Sequence, residues 1–165
     1  MKESFTRVEV RVNVNGRDRV AAVEARRTLA ELLREDLALT GTHIGCEHGV
    51  CGSCTVLVDG ASARACLTLA ARVDGCRVLT IEGLADDDAG GMNPLQQACL
   101  ERHSFQCGFC TPGMLMVATE LLAENPNPSE AEVREAIAGN LCRCTGYDSI
   151  VAGILHAAAS PLESP

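Results

Sequence analysis

Ten cysteines constrain this chain more than any other feature, because most of them fall in tight groups. Cys46-Glu-His-Gly-Val-Cys51-Gly-Ser-Cys54 brings three thiols into one short segment, and Cys107-Gly-Phe-Cys110 is followed later by Cys142-Arg-Cys144. Thiols grouped in this way read as disulfides, as a redox pair or as metal ligands. Ten cysteines in 165 residues stay below the roughly 8–10% of a disulfide scaffold. The start Met1-Lys2-Glu3-Ser4 has none of the marks of a secretory signal. Arg26-Arg27 does not open a twin-arginine signal either, since Glu31 and Arg34 interrupt the apolar segment that should follow. A reducing cytoplasm is the expected location, where thiols stay free to bind metal.

The apolar content makes a metal useful. Hydrophobic residues form 47% of the chain, but there are only three Phe, one Tyr and no Trp, so each buried side chain withdraws little area from water. A chain of this length split in two leaves each half near the size at which domains add a metal, disulfides or a partner. With 14 Lys and Arg against 22 Asp and Glu, a net charge of −8 and no Trp, nucleic acid is excluded as a partner. No apolar run approaches the roughly 18 residues of a bilayer span, so no membrane span is expected.

Val8, Val10, Val12 and Val14 alternate with polar residues, which is strand periodicity, and Asn15-Gly16 is suited to the positive φ of a hairpin turn. Thr28 and Glu31 have capping-box spacing, and Leu29, Leu32, Leu33 and Leu37 share one helical face, which predicts a helix over 28–39 on the sheet. Thr55 to Val58 reads as a strand, Asp59-Gly60 as a turn and Arg77 to Ile81 as a further strand. From Glu82 to Gly91 the sequence has no period and carries breakers and the acidic run Asp86 to Asp88, so the domain boundary falls there. Beyond it, Asn93-Pro94, Thr111-Pro112 and Ser129 with Glu132 are helix starts. Val133, Ala136 and Ile137 give one helix an apolar face that ends at Gly139, and Ile150, Val151, Ile154, Leu155 and Ala158 give another. The expected class is α+β, with residues 1–82 a small sheet domain and 83–165 a helical bundle.

The x4 then x2 spacing of Cys46, Cys51 and Cys54 is that of a plant-type [2Fe-2S] site, whose fourth thiolate arrives later in the chain. Gly45, Gly49 and Gly52 allow tight bends that turn N–H groups toward sulfur. Cys66 is the first candidate for the fourth ligand and Cys76 the second. A zinc ribbon needs paired C-x2-C units roughly 15–20 residues apart, whereas Cys54 and Cys107 lie far further apart. A Rieske centre needs two His ligands, and no Cys-x-x-His follows Cys46-Glu47-His48. Cys107, Cys110, Cys142 and Cys144 form a second set on two loops flanking helices. A helix starting at Thr111-Pro112 would turn its positive end toward those thiolates. A thioredoxin-like pair would need a βαβ setting that this half lacks.

These segments resemble the small iron–sulfur subunits of the xanthine oxidase, aldehyde oxidase and carbon monoxide dehydrogenase family of molybdenum hydroxylases. The residues that carry the resemblance are Gly45 to Val56, Ala65-Cys66-Leu-Thr-Leu, Gln106-Cys107-Gly-Phe-Cys110-Thr-Pro-Gly113 and Gly139-Asn-Leu-Cys142-Arg-Cys144-Thr-Gly-Tyr147, in the family's order. The resemblance implies a plant-type ferredoxin-like (β-grasp) domain with one [2Fe-2S] cluster, then a four-helix [2Fe-2S]-binding domain. It favours Cys66 over Cys76. It further implies a large subunit holding a molybdopterin-type molybdenum cofactor and a medium subunit holding FAD, in a heterotrimer that can pair again. Electrons would pass from molybdenum through the C-terminal cluster, then the N-terminal one, to flavin. This chain would then be the electron-transfer subunit of an oxidoreductase, with no substrate-converting site of its own. Gln106 and Cys144 are implied to lie against the pterin.

The other singled-out residues carry plainer expectations. Cys76 and Cys99 read as small buried hydrophobes, Met114 and Met116 as core, and His48 as a loop residue. His43, His103 and His156 have no ligand spacing and read as surface or capping residues, and Arg143 either tunes the second cluster or is simply exposed.

Overall fold

The computed structural model describes residues 6–85 and 91–159. The acidic run Asp86 to Asp88 lies outside the described residues. Strands β1 (Arg7–Val14) and β2 (Arg17–Glu24) pair antiparallel along their whole length. Asn15 (φ 52°) and Gly16 (φ 76°) close the hairpin, the two consecutive left-handed residues a type I′ turn requires. Val10, Val12 and Val14 are buried on one face, as the alternation predicts.

Helix α1 (Leu29–Glu31) continues as a wider π turn over Leu32–Asp36, ending short of the expected 39. Ala38 takes φ 57°, and the Leu39 N–H doubles back to the Leu33 carbonyl at 2.8 Å, closing the helix C-terminus. Leu29, Leu32 and Leu33 are fully buried beneath the sheet. The capping box forms: the Thr28 hydroxyl accepts from the Glu31 N–H at 3.2 Å, and the Glu31 carboxylate accepts from the Thr28 N–H at 2.7 Å. Those bonds, first the Thr28 backbone and then its side chain, hold the Glu31 carboxyl below its ordinary pKa. A depressed folded-state pKa adds stability that is present above the unfolded value and lost as pH falls through the folded one. Thr28→Ala is therefore expected to cost about 1 kcal/mol at neutral pH, and less in acid. Urea unfolding at two pH values measures the difference.

Strands β3 (Thr55–Val58) and β4 (Ala61–Arg64) form a second hairpin over Asp59 (φ 50°) and Gly60 (φ 92°). Strand β5 (Arg77–Leu79) stops before the expected Ile81. The Asn15 carboxamide oxygen takes the Thr80 N–H at 2.9 Å, and the chain then turns into a 3₁₀ segment at Ile81–Gly83. The sheet order is β2-β1-β5-β3-β4, with the β1–β5 pair parallel and the others antiparallel. This is the expected ferredoxin-like sheet with its helix.

Helices α2 (Pro94–Glu101), α3 (Thr111–Glu124), α4 (Glu130–Ile137) and α5 (Asp148–Ala159) make the second half. Asn93 with Gln96 and Ser129 with Glu132 complete capping boxes. The start of α3 differs from expectation: Cys110 is its N-cap and Thr111 already sits in the first turn, its hydroxyl buried with no hydrogen-bond partner. On α5 the buried residues are Ile150, Val151, Gly153, Ile154 and Ala157, while Leu155 and Ala158 are half-buried. Met114 and Met116 are fully buried.

Strand β3 joins the two halves. Its alternation sends Val56 into the core under α1 and Leu57 into the helical core, so one strand belongs to both. Among the described residues no helix is long and apolar enough to cross a membrane.

Candidate metal centres

The loop before β3 turns repeatedly through left-handed backbone, at Glu47 (φ 56°), Gly49 (φ 81°) and Gly52 (φ 74°). Such alternation points successive N–H groups inward, making a concavity for negative charge. The Cys51 N–H lies 3.4 Å from Cys46 Sγ. Together with the His48 N–H it pulls the Cys46 thiol down to about 6, so a thiolate forms readily. Cys54 is buried, and burial pushes its thiol up to about 11 while the N–H and the thiol of Cys66 both reach it. Cys46, Cys51, Cys54 and Cys66 are thus linked in one set. Cys76 is not in it. Its thiol is half-buried, less enclosed than expected of a core residue, and burial first, then the neighbouring Asp59 and Asp74, raise its pKa.

In the second set Gly108 (φ 83°) bends the Cys107–Cys110 loop so that the Phe109 N–H faces the Cys107 sulfur. That N–H and then the Cys144 thiol lower the Cys107 pKa. Burial, then the neighbouring Cys142, pushes Cys110 up to about 12. Burial also disfavours the Cys142 thiolate, but the Thr145 hydroxyl at 3.5 Å and the N–H groups of Thr145 and Cys144 outweigh it and lower its pKa. The contacts run Cys107 to Cys144 and Cys110 to Cys142. Four thiols in two pairs suit a [2Fe-2S] cluster, whose four Cys ligands are shared between two irons. The Cys142 N–H is held by the Tyr147 hydroxyl at 3.0 Å. For the buried thiols, bound iron would offset the desolvation penalty, since a coordinating thiol is deprotonated outright.

One edge of this second set faces outward. Cys107 and Cys144 are exposed, and exposed Gln106 donates from Nε2 to the Cys144 carbonyl at 3.4 Å. The two residues implied to meet a pterin are therefore adjacent at the surface. Arg143 is exposed and His48 is an exposed loop residue whose ring lies against the Cys46 carbonyl. Cys99 is buried between α2 and α5, where a Cβ on Gly153 would come within 3.1 Å of its sulfur.

The two sets meet through backbone. The Leu141 N–H donates to the Cys51 carbonyl at 2.8 Å, and Leu141 directly precedes Cys142. Buried Asn140 donates to the Gly52 carbonyl at 3.0 Å, and Arg64 reaches Thr55, Gly139 and Asn140. His43, expected as a surface or capping residue, pairs its Nδ1 with the Phe109 carbonyl at 2.9 Å and stacks on the Phe109 ring. His103 fits its expectation as an exposed residue ending α2, while His156 bonds Glu101 and Arg102 across α2 and α5. Nothing in the sequence pattern singled out Arg64, Asn140 or His43 as contacts between the halves, because their partners lie roughly 65 or more residues away.

Two groups of four thiols, one on a ferredoxin-like sheet domain and one on a helical bundle, match in number the ligands of two [2Fe-2S] clusters, the class of a two-cluster iron–sulfur protein. Comparison with known proteins agrees. Residues 12–89 match the family described as the 2Fe-2S iron-sulfur cluster binding domain, and residues 80–155 match the [2Fe-2S] binding domain. The nicotine 6-hydroxylase small subunit of Paenarthrobacter nicotinovorans is 59% identical over 151 residues, covering 92% of this chain and 90% of its own. The caffeine dehydrogenase subunit gamma of Pseudomonas sp. (strain CBB1) is 49% identical, over 88% of this chain and 87% of its own. Among solved structures, quinoline 2-oxidoreductase from Pseudomonas putida 86 superposes with a TM-score of 0.89 at 52% identity, over 93% of this chain and 94% of that one. The chain belongs to the family of small iron–sulfur subunits of the xanthine oxidase class of molybdenum hydroxylases.

Proposed function

We propose that this chain, in the cytoplasm, relays electrons from a molybdenum–pterin site on a large subunit to FAD on a medium subunit of a hydroxylase or dehydrogenase complex. Residues 1–82 and 83–165 are its two domains. Cys46, Cys51, Cys54 and Cys66 hold the N-terminal [2Fe-2S] cluster, and Cys107, Cys110, Cys142 and Cys144 hold the C-terminal one. Each cluster, when bound, takes up and releases one electron. The observation that carries the reading is the 2.8 Å bond from the Leu141 N–H to the Cys51 carbonyl, which joins the two cysteine loops directly through backbone. The exposed edge of Gln106, Cys107 and Cys144 supports placing the pterin there: an amide offers both donor and acceptor to a pterin ring. The buried thiols Cys54, Cys66 and Cys110 keep water from the inner side of each centre.

The named relatives are subunits of a nicotine 6-hydroxylase and a caffeine dehydrogenase, and the solved structure is a quinoline 2-oxidoreductase; nicotine, caffeine and quinoline are all nitrogen heterocycles. A nitrogen heterocycle is accordingly the substrate class proposed for the complex, with the choice made in the large subunit. The assembly is a heterotrimer, with or without a second copy. Purification through an affinity tag on this chain from its native host tests the reading: molybdenum, FAD and two larger polypeptides should co-elute with it. A monomer carrying iron but neither molybdenum nor flavin would instead be a free ferredoxin.

A further inference from the structure

Arg64 ends β4 and stands two residues before Cys66. Its guanidinium donates to three oxygens from both halves of the chain: Thr55 Oγ1 at 2.5 Å, the Gly139 carbonyl at 2.8 Å and Asn140 Oδ1 at 3.1 Å. All three acceptors are neutral, and among the described residues no carboxylate forms an ion pair with it. A full positive charge is therefore held between the loop bearing Cys51 and Cys54 and the loop bearing Cys142 and Cys144. Four thiolates outweigh the charge of a [2Fe-2S] core, so both centres are anionic when loaded and become more so on reduction.

Gly139 makes room for this contact. Its backbone is not left-handed, so the helix-ending role expected of it does not apply, and α4 stops at Ile137 without it. A Cβ at 139 would come within 2.7 Å of Arg64 Nη2. Asn140, fully enclosed, turns its carboxamide so that the oxygen faces Arg64 while the nitrogen holds the Gly52 carbonyl. The next residue, Leu141, makes the bond to Cys51.

We propose that Arg64 is the positioning residue of the contact between the clusters. Its fork fastens Gly139 and Asn140 onto Thr55, which keeps the Leu141 N–H on the Cys51 carbonyl, and its positive charge favours the reduced form of the centres on either side. Arginine suits both tasks, because a planar guanidinium serves several acceptors at once and stays charged. Net charge and hydrogen bonding around a cluster set its potential. The inference rests on the two-cluster reading above.

The test uses the natively purified complex as wild type, Arg64→Gln and Arg64→Lys, with EPR-monitored redox titration and the spin–spin splitting that two nearby reduced centres impose on each other. Arg64→Gln should shift the cluster potentials to lower values and diminish the splitting. Arg64→Lys should restore the potentials toward wild type yet leave the splitting diminished, since an ammonium group cannot reproduce the fork. Unchanged potentials and splitting in an iron-replete Arg64→Gln protein would overturn the proposal. If that variant fails to load iron, an iron-replete Arg64→Lys protein with wild-type splitting overturns it instead. A wild-type sample with a single signal would overturn both this proposal and the two-cluster reading, whereas unchanged variants overturn only this one.

Discussion

Replacing Cys66 with serine should remove the N-terminal cluster, lowering iron from about four to about two per chain, while the same change at Cys76 should leave iron content intact. The surroundings of the two thiols differ. Cys66 reaches the Cys54 sulfur through both its N–H and its thiol, whereas Cys76 lies against Asp59 and Asp74. Two carboxylates beside a thiol disfavour thiolate formation and would repel an anionic cluster. Iron and acid-labile sulfide assays on the purified variants decide the matter. Halved iron in Cys76→Ser with full loading of Cys66→Ser would reverse the assignment.

The second large effect is expected at Gly113. An added Cβ would lie 2.3 Å from the Gly52 carbonyl oxygen and 2.9 Å from the Asn140 amide nitrogen. The first neighbour is backbone, so no rotamer change relieves the clash. Gly113→Ala should destabilise the chain by about 3 kcal/mol, the upper part of the range for overpacking, despite the better helix propensity of alanine. For a chain of this size that corresponds to a fall of roughly 6–12 °C in Tm. Because α3 would be pushed away from the Cys51–Cys54 loop, the spin–spin splitting between the clusters should weaken as well. Thermal unfolding followed by circular dichroism measures the first effect; a Tm within a degree of wild type would show that the helix can shift at little cost.

Much of this architecture was legible in the sequence because it rests on local chemistry. Asn15-Gly16 and Asp59-Gly60 supply left-handed backbone, and the Thr28/Glu31 and Ser129/Glu132 pairs close their own capping boxes. The cysteine spacings pointed to both sets, since chelation constrains neighbours within a loop. What was hidden depends on distant partners. The expected strand end at Ile81 moved because Asn15, from the first hairpin, takes the Thr80 N–H. The expected helix end at 39 moved because Ala38 adopts φ 57°, a conformation that alanine does not advertise. Thr111 looked like a cap, yet Cys110 occupies that position, its thiol beside Cys142. The Arg64, Asn140 and Gly52 junction combines residues whose separate local patterns suggest nothing more than a strand end, a loop and a turn.

The central claim is that one chain carries two [2Fe-2S] centres in a relay. Low-temperature EPR with spin quantification on the natively purified, dithionite-reduced complex tests it most directly, because cluster number and type are read together. The account predicts two distinct [2Fe-2S] signals, each close to one spin per chain. A single signal from fully iron-loaded protein, or no signal with zinc bound in place of iron, would contradict it.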